Sequence, residues 1–253
     1  MPAEYLVYLN FILLTRLVYL IKDQRLTGPG NLALTAIQFA LCAGSFQWNS
    51  TLLVMLICVV VFTGLGWFVE GKVKNIAIWR LISLVGLIFI PGIFFSGNEG
   101  YAFSSYYDYL GNVIMTNAPL FRVEVLDGRI GILIFGCLLV ANETNIAMSV
   151  ILHYCNLEPH KQKSSTGKNG AIDHEEFRAG RIIGVLERWL ILPIVVYSDN
   201  LSVLGFIVAA KGLIRFSKFK DDERFAEYVL VGTLLSVLAA VIVAKWISVL
   251  PVI

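Results

Sequence analysis

Charge is scarce in this sequence. Asp, Glu, Lys and Arg make up 15% of its 253 residues, against about 25% in a soluble globular domain. Histidine is scarcer: His153, His160 and His174 are the three present, and they show no metal-ligand spacing. The four cysteines, Cys42, Cys58, Cys137 and Cys155, form no CxxC pair, and three lie inside apolar runs. They read as buried inert thiols in preference to a disulfide framework or a zinc site. HExxH and GxSxG are absent, which removes the commonest signatures of metalloproteases and serine hydrolases. Gly167-Lys168 lacks the glycine five positions earlier that a phosphate loop needs. Asp127-Gly128-Arg129 lacks the downstream acidic repeat of a phospholipid-synthase motif. No internal repeat is visible, so an inverted-repeat transporter has no support here. These absences point away from an enzyme; no catalytic residue, cofactor or metal is expected.

What is present is apolar. Hydrophobic residues make up 57% of the chain, and the mean hydropathy is +0.75. Eight apolar segments stand out, at 4–22, 31–47, 51–70, 77–96, 129–153, 179–197, 201–216 and 226–249. A bilayer crossing takes about 20 residues, or about 17 at the short end. The runs are continuous, not alternating, so they read as helices and not as strands of a barrel. The first begins at Glu4 without a basic flank, is interrupted by Arg16, and has no small-residue cleavage site after it. It reads as a retained helix.

Charge distribution sets an expected orientation. Loop 22–30 holds Lys22 and Arg25; loop 70–80 holds Lys72, Lys74 and Arg80. Loop 154–181 holds Lys161, Lys163, Lys168, Arg178 and Arg181; loop 215–225 holds Arg215, Lys218, Lys220 and Arg224. The alternate loops, 48–50, 97–128 and 198–200, hold only Arg122 and Arg129. Basic loops face the cytoplasm. The expected fold is therefore an all-α polytopic integral membrane helix bundle of about eight transmembrane helices, both termini outside. Residues 1–155 form a five-helix region, 156–177 a cytoplasmic linker, and 178–253 a three-helix module. Loop 97–128 carries Tyr101, Phe103, Tyr106, Tyr107, Tyr109 and Phe121; it reads as an interfacial helix, or as a lid or partner surface.

Polar groups inside the spans form two candidate sites. A charge within a span is costly and faces the bundle interior. Glu143, flanked by Asn142, Thr144 and Asn145, and Arg16 on the first helix fall at similar depth at about 1.5 Å per residue. Together Glu143, Arg16, Asn142 and Asn145 are a candidate midplane polar site. It reads as a packing ion pair, as a proton or substrate site, or as a helix break at Asn142–Asn145 with local solvation. The second candidate is a charge layer at the cytoplasmic rim: Glu187, Arg188, Lys211 and Glu227. Glu187 and Lys211 are about equally far from the short turn 198–200, so an antiparallel hairpin brings their heads together. Glu227 is expected to share Lys211 or take Arg188.

The same region carries a resemblance. Gly184, Leu186, Glu187 and Arg188 form one motif. Gly205, Phe206, Ala209, Ala210, Lys211, Arg215 and Phe216 form a second, with Gly212 where a serine is expected. Glu227, Tyr228, Gly232, Thr233 and Ser236 form a third. Across roughly a quarter of the chain this resembles the C-terminal part of a family of small, uncharacterised prokaryotic polytopic membrane proteins. Ala141-Asn142 adds a further point. The resemblance implies a multi-pass protein of a prokaryotic inner membrane and no particular activity. The leading functional expectation is a non-enzymatic membrane protein that moves or gates a small solute or ion. The alternative is a scaffold or sensor subunit that binds a cytoplasmic protein partner through its basic loops. The bilayer is the expected partner, with a cytoplasmic protein or a second copy beside it; nothing points to nucleic acid.

Overall fold

The structure is a computed structural model. It describes residues 2–21, 25–26, 28–73, 75–95, 102–107, 109, 129–155, 174–198, 202–221 and 223–250; for 174–179 and for 214–225 within that set, only the backbone is described. The described residues are helical, with no strand. The helices are α1 Ala3–Arg16, α2 Val18–Ile21, α3 Gly28–Ser45, α4 Ser50–Val59, α5 Gly66–Lys72, α6 Ile76–Phe95, α7 Arg129–Leu138, α8 Thr144–Tyr154, α9 His174–Tyr197, α10 Ser202–Asp221 and α11 Glu223–Val249. Two π-helical turns, Val60–Gly64 and Leu139–Glu143, join α4 to α5 and α7 to α8.

Each of the eight apolar segments is helical over most of its described residues. Among the described residues, five rods are long and apolar enough to cross a membrane: Ala3–Ile21, Ser50–Lys72, Ile76–Phe95, Arg129–Tyr154 and Ala226–Val249. The other three fall short for readable reasons. Helix α3 carries Asn31 and Gln38, α9 carries Arg181, Glu187 and Arg188, and the described apolar stretch of α10 ends at Leu213. Side chains are distributed inside out. Ile93, Phe206 and Leu213 are more than 70% exposed, while Arg16, Gln38 and Arg188 are 1% exposed. A soluble protein does not bury arginine and expose contiguous apolar faces; a bilayer suits both.

By contacts the chain divides into two compact units, 1–142 with 250–253, and 143–249. The division runs through the second π-helical turn. The loop-based division placed it at 156–177, where 156–173 lie outside the described residues.

In the first unit α1 packs against α3, α6 and α7, and α3 also against α4, α5 and the first π-helical turn. The buried face of α1, Leu6, Leu9, Leu13 and Arg16, follows the i, i+3, i+7 spacing of one helical stripe. Asn49 caps α4, its side chain accepting from Leu52 N at 2.8 Å. Glycines let helices approach. A Cβ on Gly86 would overlap the ring of Phe62 in the π-helical turn, and one on Gly131 would lie 2.9 Å from Leu6 Cδ2. Pro91 sits inside α6. It has no N–H to offer the Leu87 carbonyl, and the Tyr8 hydroxyl donates to that carbonyl at 2.9 Å. Of loop 97–128, residues 102–107 and 109 are described. Here the chain straps onto the end of α3: Gln47 N donates to Ala102 O at 3.0 Å and Ser104 N to Ser45 O at 2.9 Å. The Phe103 ring stacks between Phe46 and Tyr107. The helical part of this segment is short, and 110–128, where an interfacial helix was also expected, lie outside the described residues.

In the second unit α11 packs against α8, α9 and α10. Its buried stripe is Val229, Thr233, Ser236, Ala240, Ala244 and Ile247, with both alanines fully covered. Small residues at this spacing permit close helix contact in lipid.

Candidate functional site

A polar core lies inside the first unit. It starts with three uncharged side chains on three elements. Thr63, in the first π-helical turn, donates to Gln38 Oε1 of α3 at 2.8 Å. Gln38 Nε2 donates to Thr15 Oγ1 of α1 at 2.9 Å, and Thr15 Oγ1 donates onward to the Ile12 carbonyl at 2.8 Å. The π-helical turn shifts the helical register by one residue, and such turns recur at functional sites. It places Thr63 5% exposed among apolar neighbours, facing Gln38.

Charge lies beside that chain. Arg16 is the next residue after Thr15 and is almost wholly buried. Its Nη1 donates to Ser83 Oγ at 3.0 Å and its Nη2 to the Arg80 carbonyl at 2.8 Å. Ser83 Oγ donates to the same carbonyl at 2.8 Å. The guanidinium carbons of Arg80 and Arg16 lie 4.2 and 5.2 Å from the centroid of the Tyr19 ring, an arrangement that stabilises cations. Arg80 Nε donates to Glu70 Oε1 at 3.1 Å, with both side chains about 5% exposed. The short turn between α5 and α6 makes these helices antiparallel neighbours and brings Glu70 opposite Arg80. A pair this deep is costly to desolvate, and removing either partner leaves a buried charge uncompensated. Glu70 Oε2 and Asn31 Nδ2 have no hydrogen-bond partner among the described residues.

A second polar assembly lies in the second unit. Lys211 Nζ of α10 donates to Glu187 Oε2 of α9 at 2.6 Å, with both side chains about one-sixth exposed. Arg188, next along α9, points elsewhere. Its Nη1 donates to Ser236 Oγ of α11 at 2.8 Å and its Nη2 to Asn145 Oδ1 of α8 at 2.7 Å. The arginine fork therefore ties three helices through uncharged acceptors.

The residues singled out in the sequence thus regroup. Glu187 and Lys211 meet. Arg188 and Asn145, read as parts of two separate sites, also meet. Glu227 is exposed and has no ion-pair partner among the described residues. Asn142 and Glu143 are buried in the second π-helical turn. Arg16 belongs to the first unit, and Glu143 is the first residue of the second. Sequence reasoning passed over Asn31, Gln38, Thr63, Glu70 and Ser83. Arg80 was counted among the charges of loop 70–80, although counting back from the turn puts it level with Glu70. No group of three or more His, Cys, Asp or Glu able to hold a metal occurs among the described residues.

No protein-family model, curated protein or solved structure matches this chain.

The arrangement can hold hydrogen-bonding species inside an apolar shell. Its hydroxyl, amide and carboxylate groups are donors and acceptors.

Proposed function

We propose that the chain is a polytopic membrane protein that moves or gates a small solute or ion without catalysing a reaction. In this reading about eight helices cross, both termini lie outside, and the four basic loops face the cytoplasm of a prokaryotic cell. The C-terminal family resemblance and a Glu143–Arg16 pair belong to the same proposal. The observation that carries it is the polar core of the first unit: Arg16, Gln38, Thr63, Glu70, Arg80 and Ser83 buried together behind apolar outer faces. Ionisable groups are rare inside membrane helices and mark solute and ion pathways when they face a bundle interior. A scaffold acting through loops 154–181 and 215–225 has no need of such a core.

The test has two parts. Cysteines placed at Ser104 and Ser165 are treated on intact cells with an impermeant reagent, and reaction at 104 alone is expected. The purified protein is then placed in vesicles and the flux of water, ammonia, sodium and chloride is measured against empty vesicles. Enhanced flux of at least one species is expected. Fluxes equal to those of empty vesicles for all four, from folded protein, would sink the transport reading in favour of the scaffold.

A further inference from the structure

Two strong hydrogen-bonding atoms in the first unit are buried and have no partner among the described residues. They are Asn31 Nδ2 and Glu70 Oε2; Asn31 is 2% exposed and Glu70 3%. Asn31 lies beside Gly66. A Cβ built on Gly66 would stand 3.2 Å from Asn31 Nδ2 and 3.5 Å from Trp79 Nε1. Glu70 follows Gly66 by one turn on the same face of α5. Helical side chains lean back toward the N-terminal end of their helix, which carries the Glu70 carboxylate toward Gly66 and Asn31. Arg80 holds the other carboxylate oxygen at 3.1 Å, so Oε2 is turned away from that ion pair.

Leaving a buried polar atom unpaired costs about 1–3 kcal/mol, more when it is charged. Native interiors avoid this by enclosing a small molecule, most often water, that bonds about three such groups. Asn31 Nδ2 and Trp79 Nε1 are donors, and Glu70 Oε2 is an acceptor. A complementary ligand must accept and donate at once. Charge narrows the class further. A cation would sit close to the Arg80 and Arg16 guanidinium groups, and an anion would meet the free oxygen of Glu70. Size narrows it again, because a single methyl group on Gly66 would already touch Asn31.

We infer that the spot bounded by Asn31, Gly66, Glu70 and Trp79 binds one small uncharged molecule of the class of water or ammonia. It donates a hydrogen bond to Glu70 Oε2 and accepts one from Asn31 Nδ2. Occupancy of the site stands on geometry alone. A second step rests on the proposed transport function: the species moved belongs to this neutral class and is not an ion. Glycine at 66 keeps the spot open.

Two measurements on the full chain separate these steps. A crystal structure grown in a lipidic phase, with ordered water visible, is expected to show one solvent peak within hydrogen-bond distance of both Glu70 Oε2 and Asn31 Nδ2. That peak is expected to be lost in Gly66→Ala. Asn31 and Glu70 bonded directly to each other, or an empty spot, overturns the site. In vesicles, stopped-flow shrinkage reads water and an internal pH dye reads ammonia. The wild-type protein is expected to raise one of these permeabilities and Gly66→Ala to lower it several-fold, with sodium and chloride fluxes at the level of empty vesicles. Asn31→Leu replaces Gly66→Ala if the latter does not fold. A solvent peak without any enhanced permeability upholds the site and removes the transport reading. Enhanced flux of sodium or chloride removes the neutral class and leaves transport standing.

Discussion

Three buried arginines show how a guanidinium is accommodated in an apolar bundle. Arg188 spends its fork on the uncharged acceptors Ser236 and Asn145. Arg16 does the same with Ser83 and a main-chain carbonyl. Arg80 meets a carboxylate, its Nε lying 3.1 Å from Glu70 Oε1. The consequences of substitution differ accordingly. Arg80→Met strands the Glu70 carboxylate and is expected to cost about 3–5 kcal/mol, while Glu70→Met with Arg80→Met is expected to cost less than the two single changes summed. Unfolding of the three variants in detergent measures this, and strictly additive losses would show that the pair is not coupled. Arg16 was legible as a buried charge because it interrupts an apolar run. Glu70 and Arg80 were not, since each sits at a helix end, where charged side chains ordinarily reach out to the headgroups. What buries them is tertiary: α3 and Tyr19 cover the hairpin end, and neither neighbour is visible in local hydropathy.

At the scale of elements, the α9–α10 hairpin is the clearest case of spacing translated into contact. Glu187 and Lys211 lie about equally far from the turn, and their heads are 2.6 Å apart. A charge-assisted hydrogen bond contributes about 1.5–3 kcal/mol. Glu187→Lys sets two cations together between α9 and α10 and is expected to abolish stable expression, and adding Lys211→Glu is expected to restore it in part. Should the exchanged pair express no better than Glu187→Lys alone, this contact does not hold the hairpin. Helix positions were well marked by apolar length: the segment 129–153 is the rod Arg129–Tyr154. The π-helical turns inside two rods were not, because inserting one residue into the hydrogen-bond ladder leaves composition and periodicity almost unchanged. Those turns aim Thr63 and bury Asn142 and Glu143, so part of the candidate site was hidden by the same local irregularity.

For the whole molecule, apolar surface facing out and polar groups facing in is the organising pattern, and α3 carries it furthest. Leu32 and Ile37 are exposed, while Asn31, Gln38 and Ser45, seven residues apart, are buried. That stripe has a consequence for the order of events during synthesis. A nascent helix entering the bilayer alone must present Asn31 and Gln38 to lipid, at a cost of several kcal/mol for unsatisfied amides. Thr15 of α1 is already made and offers Gln38 one partner; Thr63 offers the other and emerges only with the rod Ser50–Lys72. Helix α3 is therefore expected to wait at the membrane surface until the rod Ser50–Lys72 has been translated, and the two to enter together. A chain arrested near residue 50 should leave α3 accessible to protease, and one arrested past residue 95 should protect it. Protection already at the shorter length would mean that α1 alone can admit α3.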